Sequence, residues 1–160
     1  MKNKVVILMG SKRDLEFCRE ISRHLKSLKI NYEFRVASAH KTPEKVLQII
    51  KEYQESEVIY ITVAGRSNAL SAFVDANTTK PVIACPPYSE KFGGADLFSS
   101  LRVPSGIGLL VTIEPEGAAI AAAKILSLNQ QDLALNIREH QLSHRETINK
   151  ADSHLRELKE

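Results

Sequence analysis

Three short segments of the sequence combine residue types that could bind a charged ligand and exchange a proton. They are "GSKRD" at residues 10–14, "SAHKTPE" at 38–44 and "GRSNA" at 65–69. Small residues let the backbone approach a ligand, backbone N–H groups at helix starts attract an anion, and Lys or Arg neutralises it. This chemistry indicates a site for a phosphorylated sugar or a nucleotide. The candidate site residues are Gly10, Ser11, Arg13, Asp14, Ser38, His40, Lys41, Gly65, Arg66, Ser67 and Asn68.

Two of these residues have a more specific interpretation. His40 stands between small residues and a helix start, where a core histidine has little reason to be, and histidine is the usual general acid or base near neutral pH. Asp14 is placed to accept hydrogen bonds from sugar hydroxyls, although it could instead cap the first helix. Neither a G-x-x-x-x-G-K-[ST] loop nor a G-x-G-x-x-G fingerprint occurs in the sequence.

The elements that must position these segments alternate between strand-like and helix-like patterns. Short apolar runs typical of buried parallel strands are predicted at residues 5–9, 32–37, 58–64, 82–85 and 108–113. Helices are predicted at 14–28, 43–53, 68–77, 96–102 and 114–128. The second of these has Thr42 as its expected N-cap, Pro43 as its first residue and Tyr53 as its last. Repeated βα units predict a parallel sheet with helices on both faces. In such sheets ligands bind at the carboxyl ends of strands, which is where the three segments lie.

The last segment, residues 130–160, differs from the α/β core predicted at 1–129. Its helical pattern leaves only a narrow apolar stripe, which consists of Ile137, His144, Ile148, Ala151, Leu155 and Leu158. A helix of this length with so thin an apolar face rarely packs along one small domain. We therefore expect one domain, 1–160, whose C-terminal helix lies across a neighbouring subunit; the alternative is a loosely docked terminal helix.

Composition excludes several classes of function. The chain has 160 residues, 43% hydrophobic and 26% charged content, and a net charge of +3 with no long Lys/Arg run, so we expect no nucleic-acid partner. No apolar run reaches the roughly 20 residues that a membrane span needs. Cys18 and Cys85 have no metal-ligand spacing, which suits a reducing cytoplasm. His140 and His144 could chelate a metal, but without the metalloprotease Glu a solvated face is favoured, and no metal is expected.

The sequence resembles a known family at these same segments. "ILMGSKRD", "RVASAHKTPE" and "ITVAGRSNALSAF" are similar to loops of the phosphoribosylaminoimidazole carboxylase and carboxyaminoimidazole ribonucleotide mutase family of purine biosynthesis. The likeness continues through "PVIACPP", "GGADLFSSLRVPSGIG" and "EPEGAAIAAAKILSL", hence over nearly the whole chain. It implies a three-layer, flavodoxin-like α/β/α fold in octamers or tetramers with shared active sites.

Within this family, the sequence resembles class II, the direct carboxylase. "SAHK", "AGRSN" and "CPP" are the class II pattern, whereas the mutase branch usually has "SAHRTP" and an "AGGAAHLPG"-like third loop. The resemblance implies carboxylation of aminoimidazole ribonucleotide (AIR) by carbon dioxide to its 4-carboxy product (CAIR), with no cofactor, ATP or biotin. Arg13 departs from the family pattern, which usually has Ser at this position. Compared with that pattern, the expected site loses one hydroxyl contact and gains a cation.

The same resemblance implies a role for each segment. Ser11, Asp14 and Lys41 would hold the ribose phosphate, Ser38 and His40 would face the imidazole, and the loop at 65–68 would shape the carbon dioxide pocket. Because the substrate ring is an enamine, its carbon is already nucleophilic. The enzyme must then stabilise the new carboxylate and remove the ring proton, for which His40 is the candidate. Two alternatives stay open: the mutase, and a non-catalytic flavodoxin-like sensor of a nucleotide or phosphate.

Overall fold

Strands and helices alternate along the chain. The computed structural model describes residues 4–158. Its strands are β1 (Lys4–Met9), β2 (Asn31–Val36), β3 (Val58–Val63), β4 (Val82–Ala84) and β5 (Leu110–Val111). Its α-helices are α1 (Leu15–Ser27), α2 (Pro43–Glu52), α3 (Ala69–Asp75), α4 (Phe98–Leu101), α5 (Pro115–Ser127) and α6 (Gln131–Glu157). Each predicted strand and helix is present, so the predicted alternation is confirmed.

The five strands form one parallel sheet in the order β2-β1-β3-β4-β5. This is the strand order of flavodoxin-like doubly wound folds. After β1 the chain moves to one side to form β2, and it then crosses back to place β3 on the other side of β1. The carboxyl ends of β1 and β3 therefore flank the point where the winding direction reverses, which is where such folds bind ligands.

Helices cover both faces of the sheet because side chains alternate along each buried strand. On β1, Val5, Ile7 and Met9 face the layer that contains α1 and α5. Val6 and Leu8 of the same strand face the opposite layer, which contains α2 and α3. The result is the three-layer α/β/α arrangement that was predicted.

Two local expectations differ from the structure. The fifth strand was predicted at 108–113 but pairs only at Leu110 and Val111, because β4 ends after Ala84 and offers few partners. Thr42 precedes α2 as expected, yet its side chain does not cap that helix. Its Oγ1 instead accepts a hydrogen bond from the Ser38 backbone N–H at 2.9 Å. The hydroxyl therefore closes the loop between β2 and α2.

The long helix α6 contacts the rest of the chain mainly near its start. Leu133 and Ile137 are buried in the cluster that includes α1 and α5. Farther along, α6 exposes large apolar side chains at Leu142, Ile148 and Leu155. At 1.5 Å per residue, its 27 residues extend about 40 Å. Among the residues that the structure describes, no helix combines the length and apolar character needed to cross a membrane.

Candidate active site

The three chemically interesting segments meet at one open cavity of about 760 Å³. The cavity lies at the carboxyl ends of β1, β2 and β3, at the reversal point of the sheet. Of the predicted site residues, those that line it are Gly10, Ser11, Arg13, Asp14, Ser38, His40, Lys41, Gly65, Arg66 and Ser67. Only the last predicted residue, Asn68, is not among the lining residues.

The loop after β1 holds Asp14 in a partly dehydrated position. The Gly10 N–H donates to the Val63 carbonyl at 2.9 Å, which ties this loop to the end of β3. The Ser11 hydroxyl accepts a hydrogen bond from the Arg13 N–H at 3.2 Å and caps a short 3-10 turn, Lys12–Asp14. Burial raises the pKa of the Asp14 carboxyl, although a hydrogen bond from the Ser11 backbone opposes this rise. The alternative that Asp14 caps α1 is not supported, because its side chain makes no capping bond.

The loop after β2 is a closed turn that presents two side chains to the cavity. The Thr42 N–H donates to the Ser38 carbonyl at 2.8 Å, and the Lys41 N–H donates to the Ser38 hydroxyl at 3.3 Å. These bonds fix the backbone of the turn, while His40 and Lys41 are exposed at the cavity wall. An imidazole and an ammonium group are thus placed side by side with access to a ligand.

The loop after β3 contains an unusual backbone conformation. Arg66 has a φ of 67°, in the left-handed region that favours glycine. Its backbone N–H donates to the Asp96 carboxylate (Oδ2) at 3.3 Å. The Ser67 N–H donates to the Gly65 carbonyl at 2.9 Å. This turn leaves the Arg66 and Ser67 side chains exposed and lining the cavity.

Asn68 has a structural position instead of a place on the cavity wall. It is 2% exposed and caps α3, because its Oδ1 accepts hydrogen bonds from the Ser71 N–H at 3.2 Å and the Ser71 hydroxyl at 2.8 Å. Its Nδ2 donates to the Ser100 hydroxyl at 2.9 Å, and its backbone N–H donates to the Ser99 hydroxyl at 2.9 Å. The amide therefore joins the third loop to the segment that contains α4.

Sequence reasoning missed a fourth contribution to the cavity. Pro87, Tyr88, Ser89 and Asp96 also line it, and all follow β4. A signal was present, since β4 was predicted as a strand of the same parallel sheet and its carboxyl end must reach the same edge. Asp96 contributes twice, as a lining carboxylate and as the acceptor for the strained third loop.

The two cysteines take no part in the cavity. Cys18 and Cys85 are both buried and free. Burial is the main reason that the pKa of each thiol rises to about 12. Both side chains are therefore neutral thiols near neutral pH, and the candidate chemistry rests on His40 and the polar loops.

A second cluster of polar side chains lies outside this cavity. Glu116 of α5 meets His140 and His144 of α6, with its Oε1 3.1 Å from the His140 Nε2 and 3.2 Å from the His144 Nε2. The sequence pattern favoured a solvated face for the two histidines. That interpretation is wrong for His140, whose side chain is 19% exposed, while the His144 side chain is 60% exposed.

Comparison with known proteins places these features in a family. The family model described as AIR carboxylase matches residues 4–147. The phosphoribosylaminoimidazole carboxylase of Archaeoglobus fulgidus is 56% identical over 96% of this chain and 85% of its own length. The enzyme of the same name from Treponema denticola is 45% identical over 98% of this chain and 99% of its own length.

A solved structure agrees with the sequence relatives. The crystal structure of Treponema denticola PurE superposes with a TM-score of 0.94 at 45% identity and covers 96% of this chain and 99% of that one. The agreement includes the five-stranded sheet that brings the three loops together. The chain therefore belongs to the AIR carboxylase family.

Proposed function

We propose that this protein is a phosphoribosylaminoimidazole carboxylase of the direct, class II type. It joins AIR to carbon dioxide and forms CAIR in purine biosynthesis, without ATP or biotin. The observation that supports this most is the single cavity at which "GSKRD", "SAHK" and "GRS" meet. That cavity presents a histidine, three cations and several hydroxyls to one ligand.

The phosphoribosyl end of the substrate binds between the first two loops. Arg13 and Lys41 are exposed cations on the cavity wall, and either can pair with a phosphate through charge-assisted hydrogen bonds. Asp14 accepts hydrogen bonds from ribose hydroxyls, which suits a carboxylate in partly dehydrated surroundings. Ser11 and Ser38 supply hydroxyls nearby, and Gly10 leaves room for close approach of the ligand.

The carboxylation step occurs next to the third loop. The nucleophilic ring carbon attacks carbon dioxide, a carbon–carbon bond forms, and one C=O electron pair moves onto oxygen. The Arg66 and Ser67 side chains stabilise the new carboxylate in the manner of an oxyanion site. His40 then takes the proton from the same ring carbon, which restores the aromatic imidazole. The small residues Ala39, Ala64 and Gly65 line the wall around this point.

The deciding experiment compares two substrates. Purified protein should carboxylate AIR when bicarbonate or carbon dioxide is added, and CAIR formation is followed by its ultraviolet absorbance. It should turn over the isomer that bears the carboxyl group on its exocyclic amine no faster than that isomer breaks down spontaneously. A better rate with the isomer would identify a mutase. Binding of AIR without turnover of either compound would identify a sensor.

A variant of His40 tests the proton-transfer role separately. His40→Asn keeps a hydrogen-bonding group of similar size but cannot exchange a proton near neutral pH. It should bind AIR almost normally and lose roughly 10²-fold or more in turnover. His154→Asn is the matched control, because His154 is an exposed histidine of α6, remote in sequence from the cavity loops. Retention of most activity in His40→Asn would assign the proton to another group or to water.

We further propose that the protein works in the cytoplasm as a homo-octamer or homotetramer. In this proposal 1–129 is the α/β core and the extension at 130–160 packs on neighbouring subunits; the structure describes residues 4–158 of these ranges. Support comes from the apolar side chains that α6 exposes beyond its contact with α5, namely Leu142, Ile148, Leu155 and the following Leu158. Burial of these side chains against another copy would stabilise the assembly by removing apolar surface from water.

A further inference from the structure

The cluster of Glu116, His140 and His144 has the composition and spacing of a metal site. One oxygen of Glu116 and one ring nitrogen from each histidine all lie within 4.8 Å of one another. Neutral imidazole nitrogen and carboxylate oxygen are ligands that Zn²⁺ prefers. The two histidines are four residues apart on α6, so their side chains project from the same face of the helix.

The separations between these atoms suit ligands that converge on a common ion. The Nε2 of His140 is buried and has no hydrogen-bond partner, although Glu116 Oε1 is 3.1 Å away. A buried polar atom without a partner costs free energy, which requires an explanation. With metal–ligand distances of about 2.0–2.1 Å, tetrahedral geometry separates neighbouring ligand atoms by roughly 3.4 Å. The observed separations of 3.1 and 3.2 Å are close to this value.

We propose that Glu116, His140 and His144 bind one divalent transition-metal ion, with Zn²⁺ as the preferred occupant. The Nε2 atoms of both histidines and the Oε1 of Glu116 supply three ligands. A water molecule supplies the fourth, since the His144 side chain is 60% exposed and the site opens to solvent. The ion satisfies the His140 nitrogen that the protein alone leaves without a partner.

Such an ion would fasten the terminal helix to the core. Glu116 lies in the first turn of α5, whereas both histidines belong to α6. Apart from the ion, α6 is held to the core near this point chiefly by the buried Leu133 and Ile137. A metal bridge one to two turns beyond Ile137 would extend that attachment along α6. The role proposed is structural and is independent of the carboxylase chemistry.

Titration of metal-free protein with ZnCl₂ tests the proposal. Full-length protein is treated with a chelator, dialysed, and titrated at constant pH while heat and bound zinc are measured. We expect one Zn²⁺ per chain and a melting temperature that rises by about 5–10 °C at a hundredfold excess over Kd. Cobalt loading should give the visible absorption of a low-coordinate N/O site.

Matched variants separate this site from general zinc binding. His144→Ala removes an exposed ligand with little risk to folding, and Glu116→Gln keeps the size of the side chain while removing its charge. Each should weaken zinc binding roughly tenfold or more and so cut the rise in melting temperature at the same zinc concentration to about half or less. His154→Ala should bind zinc as the parent does, because this exposed histidine of α6 lies outside the cluster.

Three outcomes would overturn the proposal. They are no zinc binding by the parent, undiminished binding by both His144→Ala and Glu116→Gln, or an equal loss in His154→Ala. A fourth contrary result combines two measurements. The melting temperature of Glu116→Gln is lower than that of the parent, and zinc does not change the melting temperature of the parent. That pattern would show a simple ion pair between Glu116 and protonated histidine.

Discussion

Replacing Asn68 by alanine should destabilise the protein far more than an ordinary change in a loop. The variant loses the α3 cap that Asn68 makes through Ser71, which costs about 1 kcal/mol. It also leaves the Ser100 hydroxyl, 1% exposed, without the Nδ2 donor, which adds about 1–3 kcal/mol. The Ser71 hydroxyl keeps its contact with the Thr62 hydroxyl at 2.7 Å, so no further penalty is added there. The expected loss is about 2–4 kcal/mol.

Urea unfolding at one fixed protein concentration measures this loss, because the proposed assembly would make the midpoint concentration-dependent. Ser67→Ala is the control, since Ser67 is an exposed neighbour and should change stability by no more than about 0.5 kcal/mol. A double-mutant cycle with Ser100→Ala tests the specific contact. The two changes should be non-additive by about 0.5–1.5 kcal/mol, because they remove the same hydrogen bond.

The opposite result would restore the interpretation of Asn68 as a ligand of the substrate. In that case Asn68→Ala would unfold at the same urea concentration as the parent, within about 0.5 kcal/mol, while KM for AIR rose markedly. Additive effects of Asn68→Ala and Ser100→Ala would likewise contradict the hydrogen bond between them.

Three further predictions concern binding, assembly and the thiols. Lys41→Ala and Asp14→Ala should each weaken AIR binding by about 1.5–3 kcal/mol, measured by calorimetry, and unchanged affinity in both would remove them from the phosphoribosyl site. Deleting residues 146–160 removes exposed apolar side chains of α6 and keeps its buried contacts with the core. Sedimentation should therefore show a smaller assembly of folded subunits. An assembly of unchanged size would refute the interface. Because the pKa of both thiols is raised to about 12, Cys18 and Cys85 should react with a thiol reagent at pH 8 only after unfolding; rapid labelling of the native protein would contradict their burial.

The core of the fold could be predicted because its strands are buried on both faces. Continuous apolar runs such as "VVILM" and "VIYITV" leave little doubt about a parallel sheet. The extent of β5 could not be predicted in the same way. The length of β5 is set by how many residues of β4 are available to pair with it, so the two strands would have to be predicted together. The role of the Thr42 hydroxyl could not be predicted either. It accepts from the Ser38 N–H and donates to the Ser38 carbonyl, and these bonds replace the expected cap of α2.

The site could be predicted only in part because sequence position does not give side-chain direction. Arg66, Ser67 and Asn68 are consecutive, yet the first two face the cavity and the third points into the protein. The partner that draws Asn68 inward, Ser100, lies 32 residues away. The proximity of Glu116 to His140 was overlooked for the same reason, since the two residues lie on different helices.

The left-handed turn at Arg66 sets the stability of the protein against the role proposed for this side chain in carboxylation. A side chain at this φ costs of order 1 kcal/mol or more that glycine would avoid. Lys29 has the same kind of conformation, with φ at 60°, but it lies just past the end of α1. Engineering for thermostability would select glycine at both positions with equal favour. Lys29 does not line the cavity, whereas glycine at Arg66 would remove a cation from the cavity wall and, under the proposed carboxylation mechanism, would lower turnover in exchange for stability.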